Sequence, residues 1–229
     1  VFENIWNSIH APSLFLDSQR VRTSEPTYVR NAGDPANNPA SLRTKSKEAR
    51  SILSCPVFQQ DPSNHILRAE SLDAALKMEL NSKLEKFKYT ENGIIFEANG
   101  EDRRTLDTNT LPHLLPVGLK RLVWDENGRQ VKYTQNIDIP DFWWISVDFL
   151  PPDATPVAYR LIGFIRHWDA SESESKESGY FTAPNFGHYS AYIKRGPRWY
   201  HADDSSVEAV EDQERKEQQR QGVVYLFER

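Results

Sequence analysis

Cysteine is nearly absent from this chain: among 229 residues there is one, Cys55, alongside a single methionine. One thiol excludes an internal disulfide framework and any zinc site assembled from cysteine pairs, and it suits a reducing compartment, the cytoplasm or the nucleus. A basic surplus is missing as well. The 28 Lys and Arg stand against 33 Asp and Glu, a formal net charge of -5. Phosphate-backbone affinity is carried by clustered positive charge, so nucleic acid is not an expected partner. No apolar run approaches the roughly 18 residues of a membrane-spanning helix, so a membrane is not expected either. The chain opens at Val1 with neither an initiator methionine nor a signal peptide, as expected of a piece of something longer. Aromatic residues, by contrast, are plentiful. At 11% of the chain they argue against general disorder, and the length suffices for one large packed domain or two small ones.

Along the chain the pattern changes twice. Residues 1–65 are polar and broken by Pro12, Pro26, Pro35, Pro39, Pro56 and Pro62. Phe2 to Leu16 and Ser46 to Leu53 read as short helices, with a loop or linker over Thr23 to Arg43. A helix is predicted from Ser71, because Leu72, Ala75, Leu76 and Leu80 recur at helical spacing behind a serine N-cap. From about Tyr89 the signal is of strands. Gly93 to Ala98 closes on the turn pair Asn99-Gly100, and Leu115 to Trp124 with Arg129 to Asn136 reads as a hairpin turning at Asn127-Gly128. Four more strands are predicted at Val157 to Arg166, Tyr189 to Arg195, Trp199 to Ala202 and Val223 to Glu228, with an exposed helix over the charged stretch from Glu211 to Gln221. The predicted class is α+β, helices first and then an antiparallel sheet.

Among six histidines, His10, His65 and His113 have no partner at ligand spacing, and His167 and His201 are expected to pack. His188 differs, because Gly187-His-Tyr puts it at the start of a strand, fifteen residues before Asp203 at the end of the next. Two strands of about seven residues joined by a turn at Gly196-Pro197 bring these ends together. Asp203 can then accept a hydrogen bond from one ring nitrogen and leave the other free, which is the base-and-orienter half of a nucleophilic triad. An incidental His–Asp pair at a sheet edge is the alternative.

Gly187-His-Tyr-Ser-Ala-Tyr-Ile-Lys, Trp199-Tyr-His-Ala-Asp-Asp-Ser and the ending Val224-Tyr-Leu-Phe-Glu-Arg together resemble the histidine box of the ubiquitin-specific proteases, papain-like cysteine hydrolases that remove ubiquitin. Ser71-Leu-Asp-Ala-Ala-Leu, Leu111-Pro-His-Leu-Leu-Pro-Val-Gly-Leu-Lys-Arg-Leu and Tyr159-Arg-Leu-Ile-Gly-Phe-Ile-Arg-His resemble further segments of that family in the same order. The resemblance covers roughly residues 66–229. It implies a β-rich palm and finger region there, with residues 1–65 as a shortened helical thumb lobe and linker of the same catalytic domain. It also implies that His188 is the general base, that Asp203 orients it, and that Asp204 occupies a second acidic position aiding the oxyanion site. Gly187 and Tyr189 would flank the channel for ubiquitin's Gly-Gly tail. The implied partner is ubiquitin, or a ubiquitin-like protein, and its conjugates, with no cofactor.

The nucleophile departs from the family pattern. The family's cysteine box opens a helix whose dipole lowers the thiol pKa. The nearest segment here, Phe2-Glu-Asn-Ile-Trp-Asn-Ser-Ile, puts Asn4 at the cysteine position when its Asn-Ser pair is aligned. In the rival register the box lies upstream of Val1. Cys55 is followed by Pro56, unlike a cysteine opening a long helix, and is expected to be structural. The finger segment, Phe96-Glu-Ala-Asn-Gly, offers no thiolates, so no metal is expected. A deubiquitinase and a catalytically inactive ubiquitin-binding scaffold are therefore both consistent with the residues. The resemblance implies a loop covering the ubiquitin tail where the Ser- and Glu-rich segment from Asp169 to Phe186 stands, so this segment is expected to be either a mobile lid before His188, held by Tyr180, Phe181 and Phe186, or a solvated surface insertion.

Overall fold

The computed structural model describes residues 16–29, 43–50, 52–60, 66–91, 94–109, 111–124, 130–169, 180–182 and 187–229. The strands run β1 Leu16–Val29, β2 Arg43–Arg50, β3 Leu53–Pro56, β4 Phe58–Gln60 and β5 Ile66–Arg68, followed by helix α1 Leu72–Leu80. Then come β6 Asn81–Glu91, β7 Ile94–Leu106, β8 Leu114–Lys120, β9 Leu122–Trp124, β10 Gln130–Tyr133, β11 Phe142–Trp144 and a 3-10 turn at Val147–Phe149. The C-terminal part holds β12 Ala158–Asp169, β13 Tyr180–Thr182, β14 Gly187–Arg195, β15 Arg198–Asp203, β16 Ser206–Val210, helix α2 Asp212–Gln219 and β17 Gly222–Glu228.

An eight-stranded sheet dominates, ordered β16-β15-β14-β12-β17-β8-β3 with β11 also paired to β12. All its pairings are antiparallel except β3 on β8. A second sheet, β2-β1-β7-β6, stands apart from it, and two small ones are β13-β10-β9 and β4-β5. The class is α+β, as the residue pattern predicts. Strands from the first 65 residues enter both larger sheets, β1 pairing with β7 and β3 with β8.

Several local expectations are corrected. The described residues of the first 65 are strands and contain no helix; Phe2 to Phe15, including Asn4, lie outside them. The short helix expected over Ser46 to Leu53 is not formed: Arg43–Arg50 is a strand against β1, with Ser46 opposite Arg20, and Leu53 opens β3. Eight residues without a cap bring little helical stability, and pairing with a long neighbour overrides the propensity. The linker expected over Thr23 to Arg43 is strand as far as Val29. Asn99-Gly100 is not a turn, because β7 continues through it to Leu106, with Asn99 opposite Glu25. The hairpin from Leu115 is split at Arg121: β8 joins the large sheet, while β9 pairs with β10.

Arg121 explains that split. It is 2% exposed, and its guanidinium donates to the carbonyls of Gly222, Tyr133, Gln135 and Arg220. A buried cation needs every N–H satisfied, so it gathers the backbone ends of β10, α2 and β17 around itself. Helix α1 begins at Ser71, whose hydroxyl accepts from the Ala74 amide, and buries Leu72, Ala75, Leu76 and Leu80. Near its start, Trp143 donates from Nε1 to Asp73 at 2.9 Å and stacks obliquely on Phe227, tying helix to sheet.

Candidate active site

The β14–β15 hairpin turns at Gly196, whose φ of +59° suits glycine, and pairs Arg195 with Arg198 and Ala191 with Ala202. This register brings the start of β14 beside the end of β15. His188 Nε2 and Asp203 Oδ1 are in direct hydrogen-bond contact, with both side chains part-exposed. Nδ1 is left without a partner among the described residues. Asp203 raises the imidazole pKa above its ordinary value, first through the hydrogen bond and then through its charge; desolvation opposes this to a lesser extent, and Asp204 adds the smallest attraction. Asp204 follows in a left-handed conformation, φ +48°, in the turn to β16. Donor atoms of His188, Asp203 and Asp204 all lie within 4.8 Å of one another, a set able to reach one cation, though the His188–Asp203 bond already engages two of them.

Gly187 and Tyr189 flank His188 on the opposite sheet face. The Tyr189 ring is 59% exposed and lies 4.6 Å from that of His167, its cross-strand partner on β12. Beside them opens a cavity of about 240 Å³ lined by Leu119, Leu122, Lys132, His167, Tyr189 and Val223, among others. Sequence reasoning assigned His167 to packing and did not single out Lys132, which is 1% exposed and donates from Nζ to the His167 carbonyl at 2.7 Å. An apolar-flanked lysine two residues into a strand carries no signal of burial by itself.

Cys55 sits elsewhere. It is fully buried on β3, opposite Leu119 at the far edge of the large sheet. In strand order β12, β17 and β8 separate it from β14.

The large sheet is packed on one face by α1, α2 and the 137–157 segment, over Tyr159, Leu161, Phe164, Tyr192, Tyr225 and Phe227. The other face is also apolar. Cross-strand partners share a face, which groups His167 with Tyr189, Ile165 with Ala191 and Val224, Ile193 with Tyr200, and Ala202 with Val207. Tyr189, Ile193 and Val207 are at least half exposed there, and Phe142 and Trp144 on β11 extend the same face. A solvated sheet face normally alternates to polar residues; this one does not.

The fold is of the papain-like α+β type. The family profile described as ubiquitin carboxyl-terminal hydrolase matches residues 19–227. The chain belongs to that family, whose ubiquitin-specific members are cysteine-type ubiquitinyl hydrolases. It is 28% identical over 121 residues to ubiquitin carboxyl-terminal hydrolase 1 of Arabidopsis thaliana, covering 46% of this chain and 10% of that protein. Its fold is similar to a chain of the SAGA Ubp8/Sgf11/Sus1/Sgf73 DUB module bound to ubiquitin aldehyde, with TM-score 0.61, 17% identity, 93% of this chain and 41% of the other covered. The same module bound to monoubiquitin gives TM-score 0.65 at 18% identity, covering 99% of this chain and 47% of the other. The chain thus spans about a tenth of the curated relative and less than half of these structural neighbours. Among the described residues no helix is long and apolar enough to cross a membrane.

Proposed function

We propose that this chain supplies the acid–base half of a ubiquitin-specific protease, hydrolysing the bond after the C-terminal glycine of ubiquitin or a ubiquitin-like protein. The observation that carries the reading is the His188 Nε2–Asp203 contact, which leaves Nδ1 free. In this role Asp203 fixes the tautomer and favours the imidazolium. His188 Nδ1 takes the proton of a thiol, the thiolate attacks the scissile carbonyl, and the imidazolium then protonates the leaving amine. Water, deprotonated by the same imidazole, hydrolyses the thioester and releases the ubiquitin carboxylate. Asp204 stands at the second acidic position. Gly187 and Tyr189 border the passage for the Gly-Gly tail, and the cavity beside Tyr189 receives the residues preceding it. The 229 residues act as one catalytic domain in a reducing compartment, the cytoplasm or the nucleus. Ubiquitin bound by the structural neighbours supports the partner.

The thiol comes from outside these residues, because Cys55 is buried and three strands removed from β14. Burial of the sole thiol equally favours a second reading, a ubiquitin-binding domain without turnover.

Ubiquitin propargylamide, which adds covalently to an active-site thiol, separates them. The 229-residue chain is expected to form no adduct, while the protein extended upstream forms one that is lost in His188→Ala. Binding of ubiquitin by the extended protein without any adduct would establish the scaffold reading instead. Neither binding nor adduct would sink both.

A further inference from the structure

The last three rungs between β12 and β14 pair His167 with Tyr189, Trp168 with His188 and Asp169 with Gly187. Each face of the sheet holds one anchor at this point. On the face of Ser190, the Trp168 Nε1 donates to the Ser190 hydroxyl at 2.7 Å, and the Arg166 guanidinium lies 3.4 Å from the indole centroid. On the open face, the His167 imidazole lies directly over the Gly187 Cα. A Cβ built on Gly187 would come within 1.7 Å of His167 Nε2 and 2.4 Å of Cε1. The same ring meets Tyr189 at 4.6 Å, so it spans His188 from one neighbour to the other. The His167 backbone is in turn held by Lys132.

We infer that His167 is a positioning residue for His188: its ring, seated on the bare Cα of Gly187 and against Tyr189, fixes the start of β14 so that the His188 imidazole meets Asp203. Glycine is required at 187 because the ring fills the space of a side chain. Glycine is also the residue with the widest backbone freedom, so without an overlying ring the entry to His188 is restrained only by the last rungs of its pairing with β12. The contact is one of shape, and a flat ring of another kind at 167 should serve as well. The catalytic value of the clamp rests on the function proposed above, but the geometry can be tested without turnover.

The experiment follows the histidine imidazole signals of the 229-residue chain by NMR across pH. Asp203 and Asp204 are the charged groups that move the His188 midpoint, and Asp203→Asn sets the reference for a broken pair. His167→Ala is expected to lower the midpoint towards that of Asp203→Asn, and Gly187→Ala to do the same by displacing the ring. His167→Phe should keep the original midpoint. The double variant His167→Ala/Gly187→Ala should match His167→Ala alone, since the collision then has no partner. An unchanged urea-unfolding midpoint verifies the fold in each case. A His188 midpoint unmoved by both His167→Ala and Gly187→Ala would overturn the inference, as would failure of His167→Phe to retain it. Equal midpoints in the unmodified chain and Asp203→Asn would instead remove the pair itself, a distinct result.

Discussion

Because the chain has one thiol, its behaviour decides between nucleophile and core residue. Cys55 is fully buried on β3, between Ser54 and Pro56 and opposite Leu119. Four strand-to-strand steps separate β3 from β14, and at about 4.8 Å each they leave roughly 19 Å along the sheet between Cys55 and the His188 strand. Proton transfer needs contact at about 3 Å. Modification of a core thiol requires opening of the core, so its rate is scaled by the unfolding equilibrium. With about 5 kcal/mol of stability, the low end for a domain, that factor is roughly 1,000 to 10,000. A maleimide or nitrobenzoate reagent should therefore label native Cys55 at least about 1,000-fold more slowly than the urea-unfolded chain. Cys55→Ser should cost about 1–3 kcal/mol, by placing a hydroxyl in an apolar site, and leave any hydrolytic activity of the extended protein intact. Native labelling within tenfold of the unfolded rate, or loss of turnover in a folded Cys55→Ser protein, would refute the argument.

Three further outcomes are expected. The His188 midpoint should lie above 6.5 and fall in Asp203→Asn; its stabilising share is whole below the unfolded pKa of about 6.5 and disappears as pH rises through the folded value, so the Tm gap to His188→Gln should narrow as pH rises above about 6.5, and a gap that widens would contradict the pairing. Arg121→Met removes a donor set serving four carbonyls, worth about 4 kcal/mol at roughly 1 kcal/mol per bond; urea unfolding showing a loss under about 1 kcal/mol would mean those carbonyls are satisfied otherwise. Trp143→Phe keeps a ring against Phe227 but loses the bond to Asp73, and should cost about 1.5–3 kcal/mol in the same assay, with no measurable loss counting against the tie between α1 and the sheet.

How far each element was readable follows from what stabilises it. Four strands of the last 75 residues, β12, β14, β15 and β17, announce themselves because turn residues such as Gly196-Pro197 punctuate runs of β-branched and aromatic residues, whereas β13 and β16 are not among those the sequence predicts. Helix α1 is legible from its cap and its Leu72, Ala75, Leu76, Leu80 stripe, all buried. Arg43–Arg50 is not. Its residues suit a helix, and only β1 makes it a strand. Asn99-Gly100 carries a turn signal that β7 overrules because both its edges are paired, with β1 and with β6. The three-residue strand Phe142–Trp144 is too short to alternate visibly, and its identity depends on Tyr159 lying opposite Trp143.

The same distinction runs through the site. His188 and Asp203 could be matched from the sequence because a two-strand hairpin converts a spacing of fifteen into adjacency, whatever else the chain does. His167 could not be joined to Gly187 in this way, since the long segment 170–186 lies between β12 and β14 and no tight turn sets their register. Once β12 and β14 are paired, the ring of His167 occupies the space above Gly187, and the need for glycine there becomes a steric fact with a named cause. The open face works likewise. Tyr189, Ala191 and Ile193 give one side of β14 an apolar surface on which Tyr189 and Ile193 stay half exposed, while Ser190 and Tyr192 are buried on the other side. One layer is provided by α1, α2 and the 137–157 segment. The other face, with Tyr189, Ala191 and Ile193, is the reverse of the one on which His188 meets Asp203, so a layer packed there would stand behind the imidazole, and a thiol that meets Nδ1 has to approach from the side of Ser190.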